Sequence, residues 1–120
     1  PADIFRGEAL GTNAVHHGHY RALAAMARAL GAPADTVATW AGIANRVRAG
    51  MREGFAQPDT GWWAQYRYGR VHLAPSPRFE ALGQALAILG GIATRDEAAR
   101  LAAHAPTVAY GAPTFWPYIP

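Results

Sequence analysis

The chain contains no cysteine and no lysine. The first absence excludes disulfides and thiolate chemistry while leaving the redox compartment open. The second makes each of the 11 basic residues an arginine, a choice that, with abundant alanine, reads as genomic base-composition bias and carries no information about activity. Long apolar runs are also missing. None approaches the roughly 18 residues of a membrane span, and no basic-then-apolar leader resembles a signal peptide. The chain opens at Pro1 rather than a methionine, which leaves room for a leader or an upstream region. A soluble protein with no membrane partner is expected, the cytoplasm being the favoured compartment.

Charge is sparse as well. Only 16% of the residues are charged against 51% hydrophobic, so disorder is excluded and 120 residues make one domain at most. The net charge is +3, with arginines spread along the sequence from Arg6 to Arg100 and set beside Asp or Glu in the helical segments. Without a basic stripe, no nucleic-acid partner is expected.

What the chain does have is a dense aromatic stretch, GWWAQYRYGRVHL from Gly61 to Leu73, lying between two segments that each read as a pair of helices. Residues 1–11 read as loop. Thr12 or Asn13 is placed to cap a first helix over about residues 13–30, ended by Gly31 and Pro33. Its second half, RALAAMARAL, is apolar or alanine on nearly every side and is expected to pack against more than one neighbour. Asp35 or Thr36 caps a second helix over about 36–55, whose stripe of Val37, Trp40, Ala41, Ala44, Val47, Met51 and Phe55 places Trp40 in the core.

Beyond the aromatic stretch, Ser76 and Pro77 read as a cap and first helical position for a third helix over about 77–89. Gly83 within it fits a close helix contact, since glycine there otherwise costs roughly 1 kcal/mol against alanine. Thr94 and Glu97 form a capping box opening a fourth helix over about 95–104, and an aromatic, proline-rich tail follows. The fold class is therefore all-α: two antiparallel hairpins joined by short turns.

Because helices joined by short turns alternate in direction, the three long loops emerge at one end. That gathers Asp3, Arg6, Glu8, Trp62, Trp63, Tyr66, Arg67, Tyr68, Arg70, His72, Tyr110, Trp116 and Tyr118 beside the first turns of two helices. Aromatics, arginines and carboxylates converging there suit a polar ring-shaped ligand. Packing of the same aromatics in a core explains their presence equally well at this level.

The segments LGTNAVHHGHYRALAAMARALGAPA, GWWAQYRYGR, FEALGQALAILGGIATRDEAARL and YGAPTFWPYIP, in this order, resemble the C-terminal half of the six-hairpin, or (α/α)6-barrel, glycosidases. Trehalases and glucosidase-like members are the most similar. The resemblance implies a partial toroid of alternating inner and outer helices, with a carbohydrate substrate held by loops at the inner helices' N-terminal ends. It sets Asn13 at the head of an inner helix near the substrate, Trp62, Trp63 and Tyr66 in the aromatic segment, and Trp116 in the loop before the last active-site hairpin. Arg70 and His72 complete the expected sugar-binding set.

The family's Trp-Asp acid motif and its downstream base are not visible in this chain. Inverting hydrolysis needs two carboxylates roughly 6.5–9.5 Å apart, and the loops offer Asp3, Glu8 and Asp59, with Glu80 at the start of the third helix. Asp3 and Glu8 are carried as catalytic candidates. His16 and His19 lie one turn apart, yet two ligands do not make a metal site, so no metal or cofactor is implied. One or two of His16, His17 and His19 are expected to line the pocket and another to pack between helices.

Three readings stand: part of a glycoside hydrolase, a non-catalytic carbohydrate-binding module, and a helical interaction domain. Two hairpins leave apolar surface open, so the chain is expected to self-associate or to join the remainder of a longer chain.

Overall fold

The computed structural model describes residues 7–69, 72 and 74–117. Four helices dominate: α1 (Leu10–Ala29), α2 (Ala34–Phe55), α3 (Ala81–Leu89) and α4 (Arg95–His104). Short strands accompany them: β1 (Glu8–Ala9), β2 (Tyr66–Tyr68), β3 (Ala74–Pro75), β4 (Phe79–Glu80) and β5 (Phe115–Trp116). The all-α expectation is thus corrected. The aromatic stretch contributes the middle strand of a small antiparallel sheet, β1-β2-β3, with Glu8 opposite Arg67 and Arg67 opposite Pro75. A second pair sets Phe79 against Trp116 and Glu80 against Phe115.

Both hairpins turn by the same device. Gly31 and Gly91 adopt φ of 69° and 65°, a left-handed conformation that glycine enters without Cβ strain. The carbonyls of Ala27 and Ala87 then accept from Ala32 and Ile92 at 2.9 and 3.0 Å, closing the helix ends. The capping box is present: Thr94 N donates to Glu97 Oε2 at 2.7 Å and Glu97 N to Thr94 Oγ1 at 3.3 Å.

Three helix starts differ from the sequence reading. α2 begins at Ala34, and neither Asp35 nor Thr36 caps it; Pro33 stands at the N-cap position, its carbonyl accepting from Thr36 N at 3.0 Å and Val37 N at 3.2 Å. α1 begins at Leu10, and neither Thr12 nor Asn13 caps it. Leu10 N instead donates to Gln65 O at 3.0 Å, so the neighbouring strand satisfies an orphan amide, and Asn13 Nδ2 donates back to Ala9 O. α3 begins at Ala81, not Pro77, because the chain around Pro77 is committed to extended pairing. Ser76 N donates to Tyr66 O and Gln65 N to Arg78 O, an outcome the pre-proline bias of Ser76 favours. Glu80 takes over the cap, accepting from Leu82 N at 3.0 Å and Gly83 N at 2.7 Å.

The core joins Leu10 and Ala14 of α1, Met51 and Phe55 of α2, Trp63, Ala87, Ile92 and Leu101. Gln84, buried on α3, bonds both the amide (3.1 Å) and the carbonyl (2.8 Å) of Trp63. That clamp holds the aromatic stretch on the helices and leaves neither backbone group of Trp63 unsatisfied. Trp40 is not in the core cluster. It is half-buried on the α1–α2 seam, stacked on Tyr20 at 6.1 Å. Nor are α1 and α3 sealed: Met26 in the second half of α1, Leu30 at its C-cap, and Leu82 and Leu89 of α3 remain exposed.

Candidate functional site

Strand pairing brings the N-terminal segment, the aromatic stretch and the tail to the N-terminal ends of α1 and α3. β1 lies against β2, β5 lies against β4, and Ala81 N donates to Thr114 O at 2.9 Å. These elements enclose an open cleft of about 390 Å³. Gly11, Thr12, Val15 and His16 form one wall, since residues three and four apart share a helix face. Gln65, Tyr66 and Phe115 form another, while Glu80, Leu82 and Leu86 close it from α3.

The described lining is mixed, partly apolar and partly polar. It holds an aromatic pair, Tyr66 and Phe115, with hydroxyl, amide, imidazole and carboxylate groups from Thr12, Gln65, His16 and Glu80. Among the described residues, no arginine lines the cleft. The carboxylate of Glu80 already occupies the amides at the head of α3, so the positive end of that helix is spent internally.

Of the residues named from sequence, His16, Tyr66 and Glu80 line this cleft. Trp116 sits one residue from Phe115, paired with Phe79 across β4 and β5. Trp62 packs edge-on against Phe79 at 5.9 Å and donates Nε1–H to Pro77 O at 3.0 Å. Trp63 is 3% exposed and belongs to the core. Asn13 is tied to Ala9 O and is not in the lining. His72 is exposed and also outside it.

His17 is buried between helices, its Nδ1 3.0 Å from Ala44 O; a carbonyl only accepts, so Nδ1 carries the hydrogen. His19 meets only the edge of Tyr20 among ring contacts, at 5.5 Å. Among the described residues no group of three or more His, Asp or Glu side chains is arranged to hold a metal ion. Asp3, Arg6, Arg70 and Tyr118 lie outside the described residues.

Glu8 is engaged elsewhere. Its Oε2 accepts from Arg67 Nη1 at 2.9 Å, and the Arg67 guanidinium lies 5.8 Å from the Phe55 ring centroid. The lining residues that sequence reasoning did not single out for the site are Ala9, Gly11, Thr12, Val15, Gln65, Leu82, Leu86 and Phe115. Thr12 and Val15 share the face of His16 at helical spacing, and Phe115 neighbours Trp116, so both signals were available. The Glu80 position depended on where α3 starts.

Against known families, the model of the mannosylglycerate hydrolase MGH1-like glycoside hydrolase domain matches residues 1–117. No curated protein and no solved structure matches the chain. Among the described residues, no helix is long and apolar enough to cross a membrane.

Proposed function

The chain belongs to the MGH1-like glycoside hydrolase domain family, and we propose that the cleft at the heads of α1 and α3 holds a sugar unit of a glycoside undergoing O-glycosidic hydrolysis. The observation that carries this reading is the convergence of α1, β2 and β5 residues around one cleft of about 390 Å³. Tyr66 and Phe115 offer faces to the apolar side of a pyranose ring. Thr12, His16, Gln65 and Glu80 offer partners to its hydroxyls.

The uncharged character of most of the lining favours the neutral sugar over an acidic aglycone. A mannosyl unit is suggested by the mannosylglycerate hydrolase of the family's description, and glucosides and trehalose by the resemblance to six-hairpin enzymes. In the same proposal the two hairpins are neighbours in an (α/α)6 toroid. Among the described lining residues Glu80 is the one carboxylate, and hydrolysis with inversion uses two. The acid–base pair is therefore completed from outside this lining, and Glu80 orders the first turn of α3 while accepting a sugar hydroxyl.

Calorimetric titration of the chain with mannosylglycerate, methyl mannoside, methyl glucoside and trehalose tests the reading, with release of free sugar followed in parallel. Saturable binding of at least one of them is expected. Tyr66→Ala and His16→Ala, both at accessible positions, are expected to weaken it by ~10-fold or more. A folded chain that binds none of the four overturns the proposal.

A further inference from the structure

A second depression, of about 520 Å³, lies between α1 and α2 where the α3–α4 turn crosses them at Gly91. Its chemistry is the opposite of the sugar cleft's. Arg21 and Arg28 enter from α1 and Arg48 from α2, with His17 and Asn45 alongside, and among the described residues no Asp or Glu is in the lining. Arg21 and Arg28 are two helical turns apart on one face, about 10 Å along the axis, and alanines form the wall between them.

Two of the three guanidinium groups are fixed in place. Arg21 Nη1 donates to Gly90 O at 2.8 Å, and Arg48 Nε donates to Ile92 O at 3.2 Å. Each guanidinium has five N–H donors, so most of them remain unassigned among the described residues. Arg28 has no hydrogen-bond or ion-pair partner among those residues. The depression adjoins another of about 360 Å³, sharing Asn45 and Arg48 with it and extending to Arg52. Arg52 spends Nη2 on Glu97, and its Nε is buried without a partner among the described residues.

We infer that this groove is an oxyanion site, separate from the sugar cleft, for a small multiply charged ligand of phosphate or carboxylate type. Helix-end capping accounts for one donor each of Arg21 and Arg48. Arg28 lies in the last turn of α1, where the helix dipole favours a cation, but that does not account for three like charges lining one groove with no acid among its described lining residues. A ligand with two or more anionic oxygens neutralises that repulsion through charge-assisted forks, for which arginine geometry is suited.

Pyrophosphate and citrate, titrated separately into the chain at constant ionic strength by calorimetry, test the site and distinguish the two oxyanion chemistries. Saturable binding of either at one site is expected, with shifts of the Arg21 and Arg48 Nε signals in nitrogen-15 spectra. Arg28→Gln, at an exposed position, is expected to weaken binding about tenfold. Arg95→Gln, on α4 and outside the groove, is expected to leave it unchanged. Binding of neither anion at millimolar concentration overturns the inference. So does equal weakening by both variants, which would indicate only the general positive charge of the chain.

Discussion

At Gly83 the first turns of α1 and α3 approach so closely that a Cβ would lie 2.5 Å from Glu80 Oε2, 2.9 Å from Leu10 Cγ and 3.0 Å from Gly11 N. The last of these is backbone, and the first belongs to the carboxylate that caps α3, so none of the three yields cheaply. Alanine normally gains about 1 kcal/mol over glycine inside a helix, but overpacking of this kind costs about 1–3 kcal/mol. Gly83→Ala is therefore expected to lower stability and to disturb the adjoining cleft. Gly50, inside α2, supplies the contrast: a Cβ there meets nothing within 4 Å, so Gly50→Ala is expected to raise stability by about 0.5–1 kcal/mol. Thermal unfolding of the two variants checks both signs together. The sequence reading of Gly83 as a close helix contact agrees with this approach, although Gly50 shows that a glycine inside a helix does not by itself require one.

Some local signals were legible and others misled, since the caps read at Thr12 or Asn13 and at Asp35 or Thr36 are absent from α1 and α2. The Gly31 and Gly91 turns and the Thr94–Glu97 box each depend on residues within four positions of one another. The start of α3 was not, because the signal at Ser76 and Pro77 is overridden by hydrogen bonds to Tyr66 and Gln65, about ten residues away in sequence. Two-residue strands were equally invisible, being too short to show alternation. The fourth helix also illustrates how elements are tied electrostatically. Arg52 of α2 meets Glu97 of α4 at 3.0 Å. Burial pushes the Glu97 carboxyl up, but the bond from Arg52 and those from the Thr94 amide and hydroxyl outweigh it and hold the group below the ordinary glutamate value. A carboxyl depressed in the folded state stabilises the fold at neutral pH, and that contribution is lost as pH falls through its folded value. Urea midpoints measured from pH 7 down to pH 3 are expected to fall less steeply for Glu97→Gln than for the parent, from a lower neutral starting point. Parallel curves would remove Glu97 as a source of the acid sensitivity.

The whole molecule is flatter than a sealed domain. Its radius of gyration is 15.9 Å and its extents are 50 × 34 × 22 Å, whereas a compact chain of this length has a radius of about 13–14 Å. The excess reflects two hairpins lying side by side with little wrapped over them. Leu30 at 85% and Leu89 at 82% exposure are the clearest consequences, with Val15, Met26 and Leu82 more than half exposed. Exposed leucines scattered singly are ordinary. Here exposed apolar side chains recur on α1, at its C-cap and on α3, so the apolar pattern extends onto surface that the described residues leave uncovered. The proposed cover is a second copy of the chain, or further hairpins if the stretch is part of a longer one. Sedimentation velocity distinguishes a surface that associates from one that is merely apolar. The parent chain is expected to show concentration-dependent association, and the pair Leu30→Glu with Leu89→Glu to shift it toward monomer at unchanged helicity, since neither side chain is in the buried core. A parent that stays monomeric over the same concentrations would show that these faces tolerate water, and that flatness alone does not drive the chain to find a neighbour.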